Sequence, residues 1–409
     1  MNLQKNLEKY ADLILRTGLN LKPGDKFFIS VSEETLPLAR IINKKAYEMG
    51  VVDIIFDFDD DTLTLDRYLH APEAAFECVP KFRIDYLEAR LKEGYNMLAM
   101  RSPNPELLKS VDPQRINQWQ RVMGLAGKRL QKYTMTNRVK WCVTAVAGKA
   151  WAKAVFPKLS EEEGIAKLWE NIFKACRIDQ KDPGKAWEEH NKQLKEHKSF
   201  MNKACFSAIH YEGPGTNLMV GLPEKHIWDG GSCLSKGGDM FFPNIPTEEI
   251  FSMPHADKVD GTLAATMPLA VRGQIVDKFH FTFKDGQVVD YDAKVGKPIL
   301  DGLLAMDDGA KRLGEIALVA HNSPISDTGI LFKNTLFDEN ASCHFALGMA
   351  YSETLKGANR RSEEENRKLG MNNSLIHVDF MVGSEKVTVT GIKKDGSKVV
   401  LLKDGNWQI

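Results

Sequence analysis

The chain changes its hydrophobic grammar near the middle, and that change limits its architecture more than any other feature. Over residues 1–195, short apolar runs alternate with helical patterns. Lys26 to Val31 (KFFISV) reads as a strand, and Thr35 to Met49 as a helix that Gly50 is placed to end. Val51 to Phe56, Asn96 to Met100 and Lys140 to Ala147 read as three further strands. Ser160 opens another helix: Glu163, three residues on, completes a capping-box pattern ahead of Ile165, Leu168 and Ile172. Strand–helix alternation of this kind builds βαβ units and a mainly parallel sheet. Asp182 and Pro183 then suit the N-cap and first turn of a polar helix reaching His197. Beyond Ser199 the pattern is one of hairpins. Phe279 to Phe283 and Val288 to Tyr291 flank Lys284-Asp285-Gly286, and Val387 to Ile392 and Val399 to Leu402 flank Lys394-Asp395-Gly396-Ser397. The expected architecture is an α/β N-terminal domain with a mainly parallel sheet over residues 1–195, and a mainly antiparallel β (α+β) domain over residues 196–409.

Composition narrows the function. Lys+Arg and Asp+Glu balance at 55 each, which leaves no basic excess for nucleic acid. No run of about 18 apolar residues is long enough to span a membrane. Leu3, Leu7, Tyr10, Ile14 and Leu15 recur at helical spacing with Lys5, Glu8, Lys9 and Asp12 among them, the pattern of an amphipathic helix rather than of an apolar leader. The six cysteines never form C-x-x-C, as expected of reduced thiols in a cytoplasmic protein. There is no P-loop, no strand-borne G-x-G-x-x-G, no G-x-S-x-G and no H-E-x-x-H.

Four segments set polar residues in apolar surroundings. In Leu375–Val382 (LIHVDFMV), period-two alternation puts His377 and Asp379 on one face of a strand and Ile376, Val378 and Phe380 on the other. Two metal ligands at i, i+2 fit this, and so does a hydrogen-bonded pair on a solvated face. Glu315 opens an apolar run, Glu315–Ala320, where a carboxylate is paired, metal-bound or at an exposed strand end. In Phe337–Tyr351 (FDENASCHFALGMAY) the small, apolar residues from Ala341 read as a helix, with His344 and Tyr351 seven apart on one face and Glu339 just before it. A satisfied core histidine is the alternative for His344. In Asn244–Phe251 (NIPTEEIF), Pro246 makes a turn ahead of an extended segment, and at most one of Glu248 and Glu249 faces a shared site.

Together, Glu249, Glu315, Glu339, His344, His377 and Asp379 supply four carboxylates and two imidazoles. A pair of divalent ions with one carboxylate between them needs about this many ligands. Carboxylate-rich ligation with some imidazole and no thiolate suits Zn²⁺, Co²⁺ or Mn²⁺. At these residues the sequence resembles the thermophilic-type metallo-aminopeptidase family, the group of aminopeptidases T and S. The resemblance runs from Tyr10 to about Trp407 and includes Tyr211 to Gly231 (YEGPGTNLMVGLPEKHIWDGG). It implies two divalent metal ions per subunit held by Glu249, Glu315, Glu339, His344, His377 and Asp379, and it decides for Glu249 over Glu248. It further implies Glu315 and Tyr351 as the residues tied to chemistry, removal of N-terminal residues from short peptides by an activated water, and a homodimer. On this reading residues 196–409 carry catalysis, and residues 1–195 control access or form the dimer. The same constellation could serve an amidase or phosphoesterase, though only Lys333, Lys356 and Lys386 lie near the motifs to hold a phosphate. A protein that binds a small ligand without catalysis is the third reading.

Overall fold

A computed structural model describes residues 2–409. Its chain forms two compact units. The first comprises the residues up to Val111, Gln118–Lys192 and Gly231–Thr247; the second comprises Asp112–Asn117, Gln193–Gly230 and Glu248–Ile409.

The first unit is built on a parallel sheet of four strands in the order β2-β1-β3-β4: β1 (Lys26–Val31), β2 (Asp53–Phe58), β3 (Asn96–Arg101) and β4 (Trp141–Ala145). The helix after β1 spans Leu36–Glu48, and Gly50 follows it at φ +85°, a value that favours glycine. β2 starts two residues later than the apolar run suggests. Val51 still donates its N–H to Ala46 O, and so belongs to the helix end rather than to the strand. The capping box at Ser160 forms with both of its hydrogen bonds, and the helix Glu161–Ala175 follows. Asp182 accepts the N–H of Lys185 at 3.1 Å, and the helix that begins at Pro183 runs on past His197 to Ala204. Buried charges in this unit are paired within the chain. Lys140 Nζ lies 2.7 Å from Asp25 Oδ2 and 2.9 Å from Asn20 O, and Arg90 donates to both oxygens of Asp57.

The second unit contains a nine-stranded antiparallel sheet. Two of its strands, Gln274–Lys284 and Gln287–Val295, are joined by Asp285-Gly286, both at positive φ as a two-residue hairpin turn requires. Thr388–Ile392 pairs with Lys398–Lys403 in the second hairpin. Beside this sheet lies a smaller antiparallel one in the order β8-β7-β6-β5: β5 (Ile250–Ser252), β6 (Leu313–Leu318), β7 (His344–Gly348) and β8 (His377–Met381). Ile316, Phe345 and Phe380 fill its back face and are buried with Phe279, Phe281 and Phe283 of the large sheet. Phe281 and Phe380 stand 5.3 Å apart, edge to face. Each such ring stabilises the unit by about 1.5–3 kcal/mol through burial alone, and this packing fixes which face of the small sheet points the other way.

The helix expected from Ala341 is not there. A short helix spans Thr335–Asn340, so Glu339 lies inside it rather than before it, and His344–Gly348 is the strand β7. Small and apolar side chains satisfy a helix or a strand buried on both faces. Here β7 lies between β6 and β8, every one of its residues is buried, and sheet pairing decides.

Candidate metal centre

Strand register assembles the site. Glu315 is paired with Ala346, and Ala346 with Asp379, so the three lie in one row across β6, β7 and β8. His344 is paired with Ala317, and His377 with Gly348. Ala317 is in turn opposite Phe251, two residues after Glu249. Side chains alternate along a strand, so Glu249, Glu315, His344, His377 and Asp379 all project from the face opposite the phenylalanine core. Ala317, Ala346 and Gly348 occupy the intervening positions and leave space between the polar groups. Gly348 sits at φ +102°, and a Cβ there would run into the backbone of Ile376.

Two groups of candidate ligand atoms form on this face. Glu249, Glu315 and His344 make one, and Glu315, His377 and Asp379 the other; within each, the ligand atoms lie within 4.8 Å of one another. Glu315 belongs to both. Its Oε1 is 3.6 Å from His344 Nε2 and its Oε2 is 3.5 Å from His377 Nε2. The exposed strand end considered for this residue does not occur, since Glu315 is only 4 % exposed at the centre of the sheet. Likewise His344 is buried against two carboxylates rather than in an apolar core, and the face bearing His377 and Asp379 is not a solvated one.

Both imidazoles are oriented from behind. His344 Nδ1 lies 3.0 Å from Ser342 O, and His377 Nδ1 lies 2.7 Å from Met349 O. A carbonyl only accepts, so each Nδ1 carries a hydrogen and each Nε2 faces the site, free to bind a metal once it has lost its proton. Glu249 Oε2 is 2.9 Å from His344 Nε2, and Asp379 Oδ1 is 3.2 Å from His377 Nε2. Yet both oxygens are buried without a hydrogen bond. Carboxylates and Nε2 atoms that converge in this way share either a proton or a cation, and backbone-held histidines are the usual supports of a metal site.

Electrostatics agree. Burial pushes Glu315 up to about 7, against the pull of His344 and His377. Burial, then Asp379 and Glu249, hold Glu339 well above the usual carboxylate range. Burial disfavours the charge of His377, but Asp379 and Glu315 outweigh it and raise the ring to about 9. Asp379 stays below its usual value despite burial because His377 stabilises its charge. The strongest electrostatic neighbours of these groups are one another, with no lysine or arginine among them.

Glu339 stands outside both three-ligand groups but within electrostatic reach of them. Its Oε1 is 3.4 Å from Asn340 Nδ2, and Asn340 Oδ1 accepts the N–H of Glu248 at 2.7 Å. Glu248 is buried too, but it belongs to neither group. The Tyr351 ring packs on His377, with centroids 4.4 Å apart. Burial, then Glu315 and Asp379, keep the Tyr351 hydroxyl protonated well above its ordinary range. Sequence reading missed two residues. Fully buried Asn340 ties Glu339 to the chain before β5, and its place inside the FDEN segment was the available signal. Glu353 lies two residues beyond the Tyr351 segment and carries a buried, unpartnered Oε2; an acidic residue in a polar turn gives no such signal.

Three carboxylates and two imidazoles on one face, with Glu339 and Tyr351 beside them, form a candidate site for divalent metal ions. The sequence matches the thermophilic metalloprotease (M29) family over residues 3–407, and the chain belongs to that family. It is 45% identical over 404 residues to "Aminopeptidase 2" of Geobacillus stearothermophilus, covering 99% of this chain and 98% of that one. It is 40% identical over 405 residues to "Aminopeptidase T" of Thermus aquaticus, covering 99% of each. The solved structure titled "Wild-type AmpT from Thermus thermophilus" matches with a TM-score of 0.92 at 39% identity, over 99% of this chain and 100% of that one. Membership places the chain among the metallo-aminopeptidases, hydrolases that act on peptide bonds.

Proposed function

We propose that the chain removes N-terminal residues from short peptides with two divalent ions held by Glu249, Glu315, Glu339, His344, His377 and Asp379. One observation carries this reading: two three-ligand groups share Glu315, whose two oxygens face different imidazoles. The donor set fits Zn²⁺, Co²⁺ or Mn²⁺. When bound, such a pair supplies Lewis acidity, polarising the scissile carbonyl and lowering the pKa of water. The Glu315 carboxylate would accept the proton of the attacking water and pass it to the leaving amine. The Tyr351 hydroxyl, held protonated, donates a hydrogen bond to the oxyanion. Ser342 and Met349 carbonyls fix the two imidazoles throughout.

The proposal extends to a cytoplasmic homodimer. All six cysteines are free, which suits a reducing compartment. The first unit exposes Phe58, Leu63 and Phe82, an apolar contribution to a dimer contact. Among the described residues, no helix is long and apolar enough to cross a membrane. Hydrolysis of aminoacyl-p-nitroanilides, set beside p-nitrophenyl phosphate, tests the activity. Cleavage of the anilides alone, lost on chelation and restored by Zn²⁺, Co²⁺ or Mn²⁺, is expected. Chelator-resistant cleavage, or cleavage of the phosphate instead, contradicts the reading.

A further inference from the structure

Glu353 is an ionisable group that the site's chemistry, as described, does not use. It follows Tyr351 on the short turn Ser352–Thr354. That turn is pinned: Thr354 donates from both N–H and Oγ1 to Tyr351 O, and Thr354 O accepts the N–H of Ile227 at 2.7 Å. Lys356 N–H donates to Lys225 O at 2.9 Å. The backbone on both sides of Glu353 is therefore fixed relative to Tyr351. Its Oε2 is sealed from solvent and has no hydrogen-bond partner. Its charged neighbours are Asp229, Glu315 and His377, in that order of influence. Lys198, beside Asp229, is committed to Asp229 Oδ1 at 2.6 Å and to Gly230 O at 3.1 Å.

A buried carboxylate oxygen left unpaired is costly, and it persists where a ligand supplies the missing donor. The missing donor is cationic or a multiple N–H donor, because the neighbours are mainly acidic. A third metal ion does not suit, since Glu353 belongs to neither three-ligand group. An amino group does: it brings several hydrogens and one positive charge, and needs no fixed coordination shell. Glu353 follows Tyr351 by two residues on the pinned turn, and the Tyr351 ring packs on His377, so Glu353 lies beside the cluster without belonging to either ligand group. In a peptide whose first carbonyl meets Tyr351, the α-amino group is joined to that carbonyl through a single carbon, so it is the substrate's cationic group nearest this turn.

We propose that Glu353 accepts hydrogen bonds from the substrate's free α-amino group and so restricts the site to chain ends. This rests on the aminopeptidase reading above and adds the residue that reads the substrate's terminus. It acts in binding and alignment and transfers no proton.

The test uses full-length, metal-loaded protein. Inhibition constants are measured for an amino-acid amide and its des-amino analogue, against the aminoacyl-p-nitroanilide that the wild type cleaves fastest. The wild type is expected to favour the amine-bearing amide on the order of 100-fold, as a buried charged hydrogen bond warrants. Glu353→Gln is expected to lose most of that preference and to raise KM more than it lowers kcat, with metal content unchanged. If Glu353→Gln loses metal or fold, Glu353→Asp keeps the charge with a shorter reach, and it is expected to cut the preference about tenfold with metal retained. An unchanged preference in a folded, metal-loaded variant overturns the assignment. So does a collapse of kcat with the preference intact, which makes Glu353 a proton carrier instead. A metal-loaded wild type that cleaves no aminoacyl-p-nitroanilide overturns the aminopeptidase reading itself, an outcome distinct from a cleaving wild type whose Glu353 variants discriminate as before.

Discussion

The two units bury charge in opposite ways. In the first, Lys140 meets Asp25 at 2.7 Å and Arg90 meets Asp57 at 2.8 Å, so each buried cation has an acid within the chain. In the second, Glu249, Glu315, Glu339 and Asp379 surround two imidazoles, and no lysine or arginine is among their strongest neighbours. The first arrangement is complete once the chain folds. The second is complete only with protons or metal ions. Buried charge by itself thus says little about function; whether the chain supplies its own countercharge says more.

The largest effect that separates the two is catalytic. Glu315→Gln removes the group common to both ligand sets, and kcat/KM is expected to fall about a thousandfold or more while the chain stays folded. Near-normal turnover in this variant with added Zn²⁺ or Co²⁺ removes Glu315 from the chemistry. Lys140→Met should do the reverse. Asp25 keeps the Lys22 N–H but loses the buried ammonium, which is expected to cost about 1.5–3 kcal/mol of stability in denaturant melts, with kcat of the folded fraction unchanged. A matching loss of kcat breaks the comparison.

The third effect is a pH dependence. In the metal-free chain, Glu315 titrates at about 7, above its ordinary 4.5, and His377 at about 9, above 6.5. Both groups hold protons more tightly folded than unfolded. Glu315 therefore costs stability progressively above pH 4.5, and the contribution of His377 is lost as pH rises through 9. Melting temperature of the metal-free protein should fall from pH 5 to pH 9. Metal competes with those same protons, so its affinity should rise over that range and offset the fall. A metal-free melting temperature that climbs across the range contradicts this assignment of charge.

Much of this was legible in the sequence, for identifiable reasons. Lys26–Val31 and the Asp285-Gly286 hairpin are local patterns, and each appears where its pattern lies. The i, i+2 spacing of His377 and Asp379 is also local, and one strand delivers both to one face. The segment from Ala341 was not decided locally, because its small residues suit either element until β6 and β8 pair on both sides of it. Cross-strand register was hidden as well. Nothing near Glu315 announces that Ala346 and Asp379 complete its row. Glu353 was invisible for a related reason, since its lack of a partner is a property of the folded surroundings.

Metal stoichiometry tests the central claim most directly. Asp379 belongs to only one of the two ligand groups, whereas Glu315 belongs to both. Calorimetric titration of the metal-free chain with Zn²⁺ should show two ions bound per subunit, and Asp379→Asn should retain one of them. No binding by the wild type, or two ions held with undiminished affinity by Asp379→Asn, contradicts a centre built from two groups that share Glu315.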